Sequence, residues 1–284
     1  MELLASVAMI LVALSLFLPI YESALTHSRY VGWRAERHND AHNDPDLVAF
    51  YDFQRCNGVV LRNKARRITS RHYVPEILDA EITGGRLAKG RWPQAGKTAL
   101  YFDGMTRIEI PHCSEFEMAD ELTLEAWIRA LPRTTGGPFY LFSKFDAHEP
   151  PWIGPALWLA GPMGLDLGGC IPNETCRTLT SQAIFPPYAV EEVRAGAWHH
   201  VVLSGDGRMT RLYLDGRLVG ERALSAVSRD LALNQAPLYV GMPGPHVRPT
   251  GRARAFKGWI DEMAVYKREL TLVEVRRLYK NGKP

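Results

Sequence analysis

The stretch WHHVVLSGDGRMTRLYLDGRLVGE, from Trp198 to Glu221, alternates apolar and polar side chains through Val202 and Leu203 and again through Met209, Leu212 and Leu214. That period of two reads as β-strand. Two Asp-Gly pairs, Asp206-Gly207 and Asp215-Gly216, punctuate the runs and make the whole a β-meander. Asp-Gly is favoured where both central residues of a two-residue turn take positive φ, so each pair is expected to close a hairpin. A hairpin of this size is marginal alone in water, and its apolar face needs a second sheet to lie on.

The composition allows such a sandwich. Of 284 residues 46% are hydrophobic, enough for one sizeable core, and β-sandwiches of roughly 200–250 residues commonly form a single domain. The 34 basic and 31 acidic residues nearly cancel, leaving a net charge of +3. A field that weak argues against a nucleic-acid partner.

Outside the sandwich the chain opens with Leu3 to Tyr21, an uncharged, mostly aliphatic run broken only by Ser6, Ser15 and Pro19. It approaches the roughly 20 residues that span a bilayer as a helix, and it shows no polar face. A cleaved signal peptide needs a positive region before its apolar run, and here only Met1 and Glu2 precede it, so the helix is expected to be retained. Arg29, Arg34 and Arg37 follow the run with no basic residue before it, which by charge alone would place the head in the cytoplasm. The expected organisation is a hydrophobic helix over residues 1–22, a polar stalk over 23–46 and the sandwich over 47–284. His38 and His42, like Asp40 and Asp44, are four apart and would align on a helix. Their Asn- and Asp-rich surroundings before Pro45 read instead as a solvated stalk.

Four cysteines, Cys56, Cys113, Cys170 and Cys176, allow three disulfide pairings, and their spacing is not that of a zinc site. Cys170 and Cys176 bracket IPNET, a loop that a disulfide would staple. The same loop carries the glycosylation sequon at Asn173. Both features point to an exported, oxidising location. Trp152, Trp158 and Tyr188, in a segment dense in Gly and Pro, are the candidates for an aromatic platform on which a sugar ring stacks, although large aromatics in a sandwich more often belong to the core. The basic run RNKARRITSRH reads as a hydrated loop. Thr271 and Glu274 form a capping box for a terminal helix that buries Leu272, Val275 and Leu278.

The blocks WHHV, LYLDGRLVG, ALYFDGMTRIEIP, ELTLEAWIRA and FKGWIDEMAVYKREL together resemble the laminin-G-like, pentraxin-related jelly-roll family, with the concanavalin A-like lectin/glucanase fold. The resemblance runs from about Leu47 to Tyr279. It implies an all-β, two-sheet antiparallel jelly-roll sandwich. It also implies a structural Ca²⁺ site at Asp103 and Asp261, completed by backbone carbonyls. Asp103 suits a plain turn former equally well, and Asp261 a satisfied edge residue. Glucanases of this superfamily place paired carboxylates on one strand in an E-x-D-x-x-E-like pattern. ELTLEAWIRA sets Leu122, Leu124, Ala126 and Ile128 toward the core and Thr123, Glu125, Trp127 and Arg129 away from it, with Glu121 and Glu125 sharing a strand face. Four residues along a strand separate two carboxyl groups by more than twice the roughly 5–5.5 Å that retaining hydrolysis uses. Glu125 is therefore expected at the surface, and the chain is expected not to be an enzyme. His199 and His200, adjacent on a strand, point to opposite faces.

An uncharged N-terminal helix ahead of a β-rich head is also similar in plan to type IV pilin-like subunits. Two roles follow. The first is a membrane-anchored cell-surface module for adhesion, binding a glycan or a surface protein. The second is a subunit of an extracellular filament whose helices self-associate in its core. The partners are then membrane lipid or further copies of the chain.

Overall fold

In chain order the elements are helix α1 (Glu2–Asn43), strands β1 (Leu47–Tyr51), β2 (Val60–Leu61), β3 (Ala80–Thr83), β4 (Arg86–Lys89), β5 (Thr98–Asp103), β6 (Arg107–Ile110), β7 (Leu122–Ala130) and β8 (Phe139–Ser143). There follow β9 (Ala156–Ala160), β10 (Asp166–Cys170), β11 (His199–Gly205), β12 (Met209–Leu214), β13 (Arg217–Ala223), β14 (Leu238–Val240), β15 (Arg254–Ala255), β16 (Lys257–Tyr266) and helix α2 (Leu272–Gly282). This computed structural model describes residues 2–54, 56, 58–65, 78–113, 116, 121–132, 139–144, 155–160, 166–170, 193–223, 235–244 and 254–284.

The strands form the expected two-sheet sandwich. The first sheet runs β13-β12-β11-β7-β16-β5-β4, with β1 also paired to β16, and the second runs β10-β9-β8-β14-β6-β3-β2. Pairing is antiparallel apart from β15, which joins β8 in parallel. Leu124, Ala126 and Ile128 of β7 meet Val201 and Leu203 of β11 and the inward side chains of the second sheet, among them Ile108, Leu141 and Leu157. Burying each such side chain contributes about 1.5–3 kcal/mol, so this shared interior is the main source of stability.

The meander forms, with one of its two turns as expected. Asp215 and Gly216 both take positive φ, 51° and 76°, the geometry that joins strands with a right-handed twist. At the first turn Gly207 has positive φ but Asp206 does not. Its carboxylate instead accepts the N–H groups of Arg208 and Met209 at 2.8 and 2.6 Å. The carboxylate thus shapes this turn through its own local hydrogen bonds.

Both faces of the first sheet are covered, which the strand pattern did not suggest. Every residue of β7 except Arg129 is buried. The helices supply the cover. The apolar stripe of α2 (Val275, Leu278) and Ala41 of α1 pack on Phe50, Val202, Ala264 and Tyr266, the outward side chains of the first sheet. The capping box of α2 is present, with the Thr271 hydroxyl and the Glu274 backbone and side chain bonded reciprocally.

Residues 23–46 are not a solvated stalk. The 42-residue helix α1 continues without a break through Asn43. Tyr30, Trp33, Arg37, Asp40 and Ala41, spaced three and four apart, are buried. Local Asn and Asp preference against helix costs only tenths of a kcal/mol per residue, and docking a whole stripe outweighs it.

A β-bulge in β16 aims the next feature. The register of β16 against β7 slips between Ile260 and Glu262, leaving Asp261 extra. Ile260 and Met263 stay in the interior, while Asp261 and Glu262 both face the covered side. An unbulged strand would send one of the two inward.

Candidate functional site

Where α1 crosses the first sheet, a layer of buried charge lies between helix and strands. Arg37, 3% exposed, places its guanidinium between two carboxylates. Its Nη2 donates to Glu125 Oε2 at 3.0 Å, its Nη1 donates to the Tyr266 hydroxyl at 3.0 Å, and its Nε lies 2.5 Å from Glu262 Oε1. Glu125, 1% exposed, also accepts from His200 Nε2 at 3.0 Å. The surface position expected for Glu125 is therefore corrected: it is buried because α1 lies over it.

Arg91 and Lys97 complete the layer from the hairpin between β4 and β5. Arg91 Nε donates to Asp261 Oδ1 at 2.8 Å, its Nη2 to Glu262 Oε2 at 2.5 Å, and its Nη1 to the Gly282 carbonyl at 2.7 Å. Trp33, Trp92 and Trp127 surround that guanidinium at 5.2, 4.6 and 4.3 Å. Lys97 Nζ lies 2.9 Å from Asp261 Oδ1 and donates to the carbonyls of Asp52, Thr98 and Asp261. Three cations (Arg37, Arg91, Lys97) thus face three carboxylates (Glu125, Asp261, Glu262). Charges this deep persist only when each is paired with an opposite charge. Burial opposes ionisation of Glu125, but the Arg37 charge and the His200 hydrogen bond hold its pKa down at about 2. Burial likewise opposes the Asp261 charge, and Arg91 and Lys97 overcome it to keep this carboxyl below its ordinary range. The Lys97 ammonium is pushed below its usual pKa by burial, against the pull of Asp261.

Beside this layer an open groove of about 730 Å³ runs between α1 and the segment around β1 and β2. Arg34, His38 and His42, one helical turn apart, form one wall, and Gln54, Arg62 and Lys64 line the other. The two imidazoles lie with centroids 4.0 Å apart and planes tilted by 44°. So the i, i+4 pair does align, on a helix, with no third ligand near it: among the described residues no group of three or more His, Cys, Asp or Glu is placed to hold a metal.

The residues singled out from sequence are mostly not brought together. Asp103 closes its turn, accepting from the N–H groups of Met105 and Thr106 at 2.7 and 3.0 Å and from the Thr106 hydroxyl at 2.9 Å. Asp261 is committed to Arg91 and Lys97. Asp103 stands opposite Lys257, four residues from Asp261 along β16, which at about 3.3 Å per residue sets their backbone positions roughly 13 Å apart along the strand. Trp158 is 6% exposed and packs edge-on against Tyr140 at 6.1 Å, in the manner of a core aromatic. Trp152, Tyr188, Cys176 and Asn173 lie outside the described residues, as does most of the basic run after Lys64. Cys170 ends β10, opposite Ala156. Cys56 carries a free thiol, and Cys56 and Cys113 both pack at the margin of the interior. His199 and His200 take opposite faces as expected, His199 paired with Asp215 at 2.8 Å and His200 with Glu125.

The family model described as concanavalin A-like lectin/glucanases superfamily matches residues 102–276, more than half of the chain. The chain belongs to this superfamily. Solved structures agree on the fold. Domain 4 of AbnA, an extracellular arabinanase from Geobacillus stearothermophilus solved with arabinotriose, is similar at 17% identity and a TM-score of 0.54, over 82% of this chain and 98% of that one. Trypanosoma rangeli sialidase in complex with sialic acid is similar at 19% identity and a TM-score of 0.56, over 82% of this chain and 32% of that one. The binding domain of Paraclostridial Mosquitocidal Protein 1 is similar at 16% identity and a TM-score of 0.55, over 82% and 52%. This member of the superfamily therefore spans about a third of the sialidase's length. No curated protein matches it in sequence.

These likenesses correct the expectation that the chain is not an enzyme, because chains named as a sialidase and as part of an arabinanase carry this concanavalin A-like fold. The spacing of Glu121 and Glu125 concerns two carboxylates on one strand, whereas β7 and the bulged β16 bring Glu125 and Glu262 to the two sides of one guanidinium. A sequence signal for the bulge existed: in Ile260-Asp261-Glu262-Met263 two acids stand where period two has room for one.

Proposed function

We propose that this chain is a carbohydrate-recognition module of the cell surface, held rigidly against a membrane by its own helix. The observation that carries this reading is the division of α1. From Ser6 to Tyr21 it is exposed all round, with Met9 and Phe17 each 69% exposed, and the helix is long and apolar enough to cross a membrane. Its second half is locked to the sandwich through Arg37. Pro19, Ile20 and His27 border Gln94 and Ala95 of the sandwich, which supports a head held at the bilayer surface with no flexible tether. The superfamily's concanavalin A-like fold supports a saccharide as the ligand class, and the groove beside α1 is a recess large enough to take one.

The test is made on the full chain in detergent micelles, by saccharide array, together with fractionation of expressing cells. Recovery with the membrane and retention of saccharides is the expected result. Recovery in sedimentable fibres without detergent would transfer α1 to a filament core, and an array blank for every saccharide would overturn the recognition role.

A further inference from the structure

The groove beside α1 is rich in cationic donors and poor in acids. Arg34 and His38 line it from exposed positions on the helix, and Arg62 and Lys64 line it from the opposite wall. Asp52 is the one acid lining it among the described residues, and it is ion-paired with Lys64. Arg62, its side chain 63% exposed, reaches Asp79 only at 3.6 Å. Arg34 has no ion-pair or hydrogen-bond partner among the described residues. The Gln54 amide nitrogen, in the same wall, is buried without a partner among the described residues. Arg37, by contrast, is neutralised by Glu125 and Glu262.

We infer that this groove takes an acidic oligosaccharide, one carrying carboxylate or sulfate groups. The inference rests on the carbohydrate-recognition reading and deepens it. The free guanidinium of Arg34 and the weakly held one of Arg62 match planar and tetrahedral oxyanions through paired N–H donors, and the volume falls in the roughly 300–1,000 Å³ range of small-ligand clefts. Position argues against a phosphate headgroup of the chain's own membrane. Arg34 lies 13 residues beyond Tyr21, or about 20 Å along the helix, whereas the headgroup layer extends only about 5–8 Å past the hydrocarbon.

The experiment is calorimetric titration of the full chain in neutral detergent with a galacturonate hexasaccharide, a heparin-derived hexasaccharide, maltohexaose and glycerol 3-phosphate. The expected result is binding of one or both acidic oligosaccharides, weakened by added NaCl. The paired substitution Arg34→Ala with Arg62→Ala lowers that affinity at least tenfold, and Arg34→Lys lowers it less. Both side chains are exposed, so the variants keep their fold, which their unchanged thermal midpoint checks. Equal binding of maltohexaose overturns the acidic preference while leaving carbohydrate recognition standing. Acidic binding indifferent to both substitutions overturns the groove as the site. Glycerol 3-phosphate binding as tightly as the oligosaccharides assigns the groove to phosphate and overturns the inference. Silence toward every saccharide overturns it together with the proposed function.

Discussion

Arg37 of α1 donates to Glu125 of β7 across 88 positions of sequence, at 3.0 Å and almost wholly out of water. This contact converts an N-terminal extension into part of the sandwich. Replacing Arg37 by Ala leaves Glu125 and Glu262 short of a cation in a dry layer, and breaking a buried pair from one side costs about 3–5 kcal/mol. Urea unfolding of Arg37→Ala is expected to show a loss of that size. Adding Glu125→Gln to Arg37→Ala is expected to recover part of the loss, because the stranded charge goes with it.

Acid stability follows from the same carboxylate. The pKa of Glu125 is held at about 2 in the folded protein against an ordinary 4.5. A depressed carboxylate stabilises the fold above its unfolded value, and that stabilisation is lost as pH falls from about 4.5 towards 2. The thermal midpoint is expected to be level down to about pH 5 and to decline below it. In Glu125→Gln that decline should be shallower.

Much of the sandwich was legible in the sequence, and the reason is local. Period-two alternation, the Asp215-Gly216 turn and the Thr271–Glu274 cap each depend on neighbours within a few residues. The candidate site was not legible, because its groups look solvent-facing one strand at a time. Glu125, Trp127 and His200 occupy outward positions on their strands, and only helices distant in sequence, α1 over Glu125 and α2 over Trp127 and His200, make that face an interior. The stripe Tyr30, Trp33, Arg37, Ala41 was the available signal, masked by the Asn and Asp residues interleaved with it.

Close packing over Asp261 makes Gly90 sensitive. A Cβ at Gly90 would meet Asp261 Oδ2 at 2.2 Å and Lys97 Cγ at 3.0 Å. Asp261 cannot retreat without stretching its bonds to Arg91 and Lys97, so Gly90→Ala is expected to destabilise by about 1–3 kcal/mol in urea unfolding, the usual cost of overpacking.

Thr271→Ala removes the hydroxyl that caps α2 at the Glu274 N–H. A loss of about 1 kcal/mol is expected from the cap. Because Val275 and Leu278 of α2 cover the outward face of the first sheet, hydrogen exchange should quicken in α2 and leave the β7 amides protected.

The most direct measurement compares urea unfolding of two shortened chains, one beginning at Glu22 and one at Asp46. The first lacks most of the apolar half of α1 and keeps Tyr30, Trp33 and Arg37, while the second loses all three. The docked helix predicts a single cooperative transition for the first and a midpoint lowered by several kcal/mol, or an unfolded chain, for the second, since two buried carboxylates and an apolar face are then uncovered. Equal midpoints for the two chains would contradict it, and α1 would be a separate tether after all.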